Sequence, residues 1–321
     1  MRFSLTLLPA FPLDSRALRV NISAAFFADA IIFLQERAMR IFCPFAILIA
    51  AFIFSSQTFA QQNSSASLQS NFAAKLSSDL NHIASSYDGV MGIFVKDLTS
   101  GETFAVNADA SFATASSIKI PILIELMRQA QSGKLNLAER VEIHRAGLVG
   151  GSGVLQFFSD GGSSISIHDL AVLMIVLSDN SATNILIDRV GMENVNSLLR
   201  ARGFDKIVLA RKMIDLASEQ ANRENRATPR QMATLVEELN AGKLLDPAHT
   251  KLALEILEYP KDSPLRAGIP PQITVAEKPG SLTGAQCDTG IVLLAGRPYV
   301  ISVMTAFNSA DGNPAITAVS A

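Results

Sequence analysis

The chain has 321 residues, 49% hydrophobic and 17% charged, with 27 Lys and Arg against 29 Asp and Glu for a net charge of −2. It is too apolar for a disordered chain and too evenly charged for a nucleic-acid binder. The length allows one large domain or two small ones, and the first sixty residues account for part of the high mean hydropathy of +0.29.

Ile41 to Phe54 is a 14-residue run without a charge, preceded by Met39-Arg40 and followed by Ser55-Ser56-Gln57-Thr58-Phe59-Ala60. A basic start, an apolar stretch of that length and a small residue before Gln-Gln describe a secretory signal peptide over residues 39–60, cut after about Ala60. The run is short for a membrane span. Such a leader belongs at the extreme N-terminus, so residues 1–38 read as an upstream extension or a mis-assigned start; the alternative is a genuine extension with a membrane anchor. Cleavage removes five arginines, two aspartates and one glutamate and leaves a net charge of −4. Cys43 leaves with the leader, so Cys287 has no partner for an internal disulfide and reads as a small packed residue. The expected location is periplasmic or secreted, with no membrane attachment after cleavage.

Beyond a polar stretch at residues 61–70, Phe72, Leu76, Leu80 and Ile83 have helical spacing and predict an amphipathic helix over Asn71 to Tyr87. Val90 to Leu98 and Thr103 to Val106 flank Thr99-Ser100-Gly101-Glu102 and predict a hairpin. Helices are predicted over Ser116 to Ala130, Ser166 to Leu177 (with Ser166 and Asp169 spaced as a capping box), Asp179 to Arg189, and after Thr228-Pro229-Arg230-Gln231. Strands return at Ile273 to Ala276, Thr289 to Ala295 and Tyr299 to Ala306. Strands at both ends that share one sheet, with helices between, make an α+β fold. The expected sheet lobe is about 65–110 and 265–321, and the inserted helical lobe about 111–264, within a single catalytic domain over 61–321.

Ser116 and Lys119 lie one turn apart at the start of a nearly all-apolar, hence buried, helix. A hydroxyl becomes a nucleophile when a neighbour takes its proton, and a Lys in an apolar pocket has a lowered pKa suited to that task. The helix N-terminus offers backbone N–H donors for an oxyanion. Alone, Ser-x-x-Lys is a common accident. Ser178-Asp179-Asn180 closes the apolar run Leu170 to Leu177: Asp179 is a good N-cap, while the hydroxyl and amide beside it suit a proton relay and a substrate contact. Lys278-Pro279-Gly280-Ser281, as an isolated tetrapeptide, reads as a turn.

The order and spacing of the three segments resemble the Ser-x-x-Lys, Ser-Asp-Asn and Lys-Thr-Gly set of the class A serine β-lactamases and penicillin-binding proteins. The likeness spans about residues 65–321 and includes Gly151-Ser152-Gly153-Val154-Leu155. It implies a β-lactamase-like fold, with Ser116 acylated, Lys119 as its base or relay and Ser178 as the shuttle to the lactam nitrogen. It further implies that Asn180 contacts the substrate amide, that Lys278 lies on the substrate carboxylate side, and that the N–H groups of Ser116 and Ser281, beside Gly280, form the oxyanion hole. No cofactor and no metal are expected: His82, His144, His168 and His249 lack metal-ligand spacing. The expected partner is a small β-lactam or peptidoglycan-like substrate, and a monomer is expected.

Two departures from the family pattern stand out. Pro279 occupies the place of a Thr or Ser and supplies neither hydroxyl nor N–H, with Ser281 the candidate substitute. Met213, two residues after Arg211, stands where the family's Ω-loop carries the Glu that activates water for deacylation. Asp215 and Glu219 are the nearest carboxylates; Asp215 is the candidate base, against the alternative of a charge that caps the local turn or pairs with Arg211. The expected activity is an exported serine hydrolase slow in deacylation; the alternatives are a non-hydrolytic penicillin- or peptidoglycan-binding protein, or an amidase or carboxypeptidase on another acyl substrate.

Overall fold

A computed structural model describes residues 69–321. The leader, its cleavage site and the upstream stretch lie outside the described residues. From the N-terminal side, α1 covers residues 69–86, β1 Val90–Asp97, β2 Thr103–Val106 and β3 Phe112–Ala113. A 3-10 turn, Ala115–Ile118, runs directly into α2, Lys119–Gln131. Next come β4 (Arg140–Glu142), β5 (Ser164–Ser166), α3 (Ile167–Val176), α4 (Asn180–Val190) and α5 (Met192–Ala201). They are followed by α6 (Leu216–Gln220), β6 (Arg226–Ala227), α7 (Pro229–Asn240), α8 (Pro247–Glu258) and α9 (Pro264–Gly268). Three long strands, β7 (Val275–Leu282), β8 (Ala285–Val292) and β9 (Tyr299–Ala306), precede α10 (Asn313–Ser320).

Both chain ends enter one antiparallel sheet, ordered β2-β1-β9-β8-β7, as an α+β fold requires. β1 pairs with β9 along its whole length, from Val90 opposite Ala306 to Asp97 opposite Tyr299. The two-residue alternation of strand side chains then sorts the core. Met91, Ile93, Ile301 and Val303 face one way and pack with Leu80, Leu265 and Ile316 of α1, α9 and α10. Phe94, Val300 and Met304 face the other way, into the larger core that contains α2, α3, α4, α7 and α8. Helix α2 is the axis of that core: its residues from Lys119 to Met127 are all buried.

Local signals explain most element starts. The Ser166 hydroxyl accepts from Asp169 N–H, Asp179 accepts from Ala182 N–H, and Thr228 accepts from Gln231 N–H one residue before Pro229. Gln231 does not complete a capping box. Its amide instead accepts from Lys206 N–H at 2.8 Å and donates to Asp205 at 2.8 Å, joining α7 to the chain after α5.

The reading of Lys278-Pro279-Gly280-Ser281 as a turn is corrected, because all four residues lie within β7. The turn comes later, at Thr283-Gly284, where Gly284 has φ +74°. β7 is an edge strand with one side unpaired, which is where a strand tolerates a proline. Among the described residues no helix is long and apolar enough to cross a membrane.

Candidate active site

Ser116 sits in the 3-10 turn, and Lys119 is the first residue of α2. The turn is tight: Ala115 adopts φ +44°, a left-handed conformation costly for a residue with a Cβ, and is buried against β7 and β8. Behind it, Thr114 C=O accepts from Ser117 N–H at 2.9 Å, the Ser117 hydroxyl at 2.7 Å and the Cys287 thiol at 2.9 Å. Cys287 thus has a packing role, with its thiol pushed up to about 11 by burial. Ser116 stays half-exposed and lines two adjoining cavities of about 410 Å3 and 220 Å3.

Lys119 is fully buried, and its Nζ donates to Ser178 C=O at 2.8 Å, Ser178 Oγ at 3.0 Å and Asn180 Oδ1 at 3.1 Å. Burial and the like charge of Lys278 hold its pKa well below the ordinary lysine value. The junction between α3 and α4 brings these acceptors in. Ser178 has φ +53°, which turns its carbonyl and hydroxyl toward Lys119. Asp179 is almost fully buried; one oxygen caps α4, and the other accepts from Val154 N–H at 2.7 Å and Leu155 N–H at 2.9 Å. That bond anchors the Gly151–Leu155 segment over the site. Gly153 is required there, since a Cβ at its φ of +104° would lie 2.2 Å from the Asp179 carboxylate.

β7 forms the opposite wall. Gly280 allows it to approach the nucleophile's turn, because a Cβ would stand 2.6 Å from Ser116 N and 2.8 Å from Cys287 Sγ. Ser281, one residue on, lines both cavities with Ser116. Lys278 is buried, with its pKa brought down to about 8 by burial against the opposing pull of Asp288 and Glu277. Behind it lies a charge cluster that sequence reading missed: Glu277 meets Lys261 at 3.3 Å and Arg266 at 3.1 Å. Asp288, fully buried and close to Glu277, is pushed up to about 7. One oxygen of Asp288 accepts from the Ser263 hydroxyl at 2.6 Å, while the other has no partner. No local signal points to this cluster, because every residue of β8 is buried and the neighbours of Asp288 come from other segments.

The segment after Arg211 closes the smaller cavity. Arg211 pairs with Glu224 at 2.9 Å, both largely buried, so the partner of Arg211 is neither Asp215 nor Glu219. Nothing local in the sequence marks Glu224, since the pair forms only where the chain returns. Asn184, also missed, clamps Met213 by both backbone groups: Met213 N–H donates to Oδ1 at 2.8 Å, and Nδ2 donates to Met213 C=O at 3.0 Å. The buried Met213 side chain lines the cavity with Ser116 and Asn180. The structure does not place Asp215 as a water-activating base. Asp215 is the N-cap of α6, with its oxygens accepting from Ser218 N–H at 3.0 Å and Ser218 Oγ at 2.7 Å, contacts that hold its pKa below the usual range. Glu219 and Glu224 line the cavity, and Glu224 is bound to Arg211 and to Asn225 N–H.

A half-exposed serine, a buried lysine one turn on, a hydroxyl that accepts from that lysine and a glycine-bearing strand together equip the cleft for acyl transfer. Sequence comparison agrees: the profile of the β-lactamase enzyme family matches residues 75–321. The chain belongs to the β-lactamase enzyme family. β-Lactamase SME-1 of Serratia marcescens is 26% identical over 270 residues, covering 82% of this chain and 90% of that protein. The β-lactamase of Sphaerobacter thermophilus superposes with a TM-score of 0.69 at 31% identity, over 76% of this chain and 94% of that one. A mutant of PBP-A, described as an acyl-enzyme complex with penicillin G, superposes with a TM-score of 0.70 at 28% identity, over 77% and 94% of the two chains. The fold is that of the class A serine β-lactamases and their penicillin-binding relatives, and Ser116, Lys119, Ser178, Asn180, Lys278, Gly280 and Ser281 converge on one cleft.

Proposed function

We propose that this protein is an exported serine hydrolase that opens a β-lactam amide by acylating Ser116 and releases the acyl group slowly. The observation that carries the reading is the position of Lys119, buried one turn from Ser116 and within 3.0 Å of Ser178 Oγ, with its pKa lowered. As the neutral amine, Lys119 takes the proton of Ser116 Oγ while that oxygen attacks the lactam carbonyl. The developing oxyanion is held by the N–H groups of Ser116 and Ser281. The proton passes from Lys119 through Ser178 Oγ to the lactam nitrogen as the C–N bond breaks, leaving an ester on Ser116 and a free amine. Asn180, fixed between Lys119 and Gly150 C=O, borders the side where the substrate amide lies.

Deacylation requires a base for water. Met213 lines the cavity that reaches Ser116, Asp215 is engaged as a helix cap and Glu224 as the partner of Arg211, and the remaining lining carboxylate, Glu219, is exposed, so the acyl-enzyme is expected to accumulate. The same observation supports a second reading, a penicillin-binding protein without useful turnover on a peptidoglycan-like substrate. The mature chain, beginning after about Ala60, acts outside the cytoplasm as a monomer.

Intact-mass measurement after addition of penicillin G tests acylation, with Ser116→Ala as control. An adduct on Ser116 and a burst with a chromogenic cephalosporin are expected. The absence of both adduct and hydrolysis defeats the proposal; an adduct with no slow phase selects the second reading.

A further inference from the structure

The geometry points to a leaving-group subsite that disfavours a carboxylate: the cleft wall made by β7, α9 and the start of α10 selects acyl donors whose departing half is neutral or cationic. The inference rests on acylation of Ser116 and adds the substrate class. Ser178, which passes the proton to the lactam nitrogen, lines the cavity of about 410 Å3 together with Lys278 and Pro279, so the nitrogen-side half of the substrate lies there, departing from a linear donor and staying tethered in a lactam.

An anion held in that cavity needs donors and positive charge, and the wall supplies little of either. Pro279 offers neither a hydroxyl nor an N–H. The Ser263 hydroxyl is turned inward onto the buried Asp288 at 2.6 Å, and the Thr317 hydroxyl donates to Pro264 C=O at 3.0 Å. Among the described residues no arginine lines the cavity; its one lining cation, Lys278, is buried, donates to Pro279 C=O at 2.8 Å and has Asp288 and Glu277 close by. Two exposed carboxylates, Asp262 and Asp311, line the same cavity. The hydroxyls of Ser281 and, across the cavity, Ser152 remain with the Asn313 amide, and these neutral donors serve an ester or amide carbonyl as well as a carboxylate. Charge on the lining is therefore one cation against two anions.

The test compares three donors with the same lactam and acylamino side chain: benzylpenicillin, its methyl ester and its diethylaminoethyl ester, which carries a positive charge. The second-order rate constant for adduct formation on Ser116 is read by time-resolved intact mass. The cationic ester is expected to acylate about ten-fold faster than the free acid, with the advantage shrinking in added salt as surface charge is screened. The methyl ester is expected between the two. Pro279→Thr, which adds a hydroxyl and an N–H on the cleft wall, and the exposed pair Asp262→Asn with Asp311→Asn are each expected to raise the acid-to-ester rate ratio. For Pro279→Thr the change expected is roughly ten-fold, the size of one charge-assisted hydrogen bond, and for the exposed pair about two- to five-fold, the size of screened surface charges. A wild-type protein acylated faster by the free acid than by both esters, or variants that leave the ratio unchanged, overturns the subsite while acylation stands. No adduct from any of the three overturns acylation itself, and the subsite with it.

Discussion

Replacing Met213 by Glu is expected to turn a trapped acyl-enzyme into one that turns over. Met213 is 8% exposed, borders the cavity that reaches Ser116, and is held by Asn184 through its own backbone, so the substitution leaves the chain path in place. Glu has nearly the length of Met and would bring a carboxylate to the space beside the ester. A positioned general base contributes about 10²- to 10⁴-fold, equivalent to roughly 3–5 kcal/mol of barrier. The lower end is expected here, because no second side chain has been shaped to hold the water. The cost is stability: a buried Met side chain contributes about 1.5–3 kcal/mol, and a carboxylate in its place must be desolvated. For a chain of this size that is a fall in Tm of roughly 3–10 °C. The assay is the rate of adduct loss from Ser116 after rapid removal of free penicillin, with Met213→Gln as the shape-matched control. If the Glu variant is acylated normally yet loses its adduct no faster than the Gln variant, the assignment of position 213 as the missing base is wrong.

Acylation by the wild type is expected to fall as pH drops through the lowered pKa of Lys119, since only the neutral amine accepts the serine proton. Lys278→Gln removes the neighbouring like charge, raises that pKa and moves the acid limb of the pH-rate profile to higher pH; an unmoved limb counts against Lys119 as the base. Gly280→Ala pushes a Cβ against Ser116 N and Cys287 Sγ, and acylation is expected to drop about 10²-fold, the size of losing one oxyanion donor, with unfolding still cooperative by circular dichroism. Asp288 has a folded-state pKa near 7, above the unfolded carboxyl value, so the folded protein holds that proton more tightly. Its burden on stability is absent below the ordinary carboxyl range, grows as pH rises from there to about 7, and stays constant above. Asp288→Asn is accordingly expected to raise Tm relative to wild type more at pH 8 than at pH 5, and a difference independent of pH would show that Asp288 does not titrate in that range.

Much of the architecture is legible in the order of residues alone. Thr228, Ser166 and Asp179 announce helix starts through short-range hydrogen bonds, which need no tertiary context. The Tyr299 to Ala306 strand reads correctly because it is a near-continuous apolar run whose two faces are both buried. The apolar run around Ser116-x-x-Lys119 predicts that Lys119 is buried, as it is. The misreadings share one cause. Lys278-Pro279-Gly280 looks like a turn when judged by its own residues, and only the position of β7 at the edge of the sheet, where an N–H is not needed, makes it a strand.

The site divides in the same way. Sequence by itself singled out the candidate site residues, Ser116, Lys119, Ser178 and Lys278, because the order and spacing of three motifs resemble those of a known family, and the same likeness exposed the departures at Met213 and Pro279. Tertiary structure alone decided what those residues meet. It paired Arg211 with Glu224 rather than with Asp215 or Glu219, gave Asp215 to Ser218, clamped Met213 with Asn184, and turned Ser263 away from the cleft onto Asp288. Three of these contacts join residues 13 to 29 positions apart, and the fourth, Asp215 with Ser218, depends on which way one turn faces. Local propensity is blind to such choices, and packing settles them because a buried polar atom left without a partner is costly.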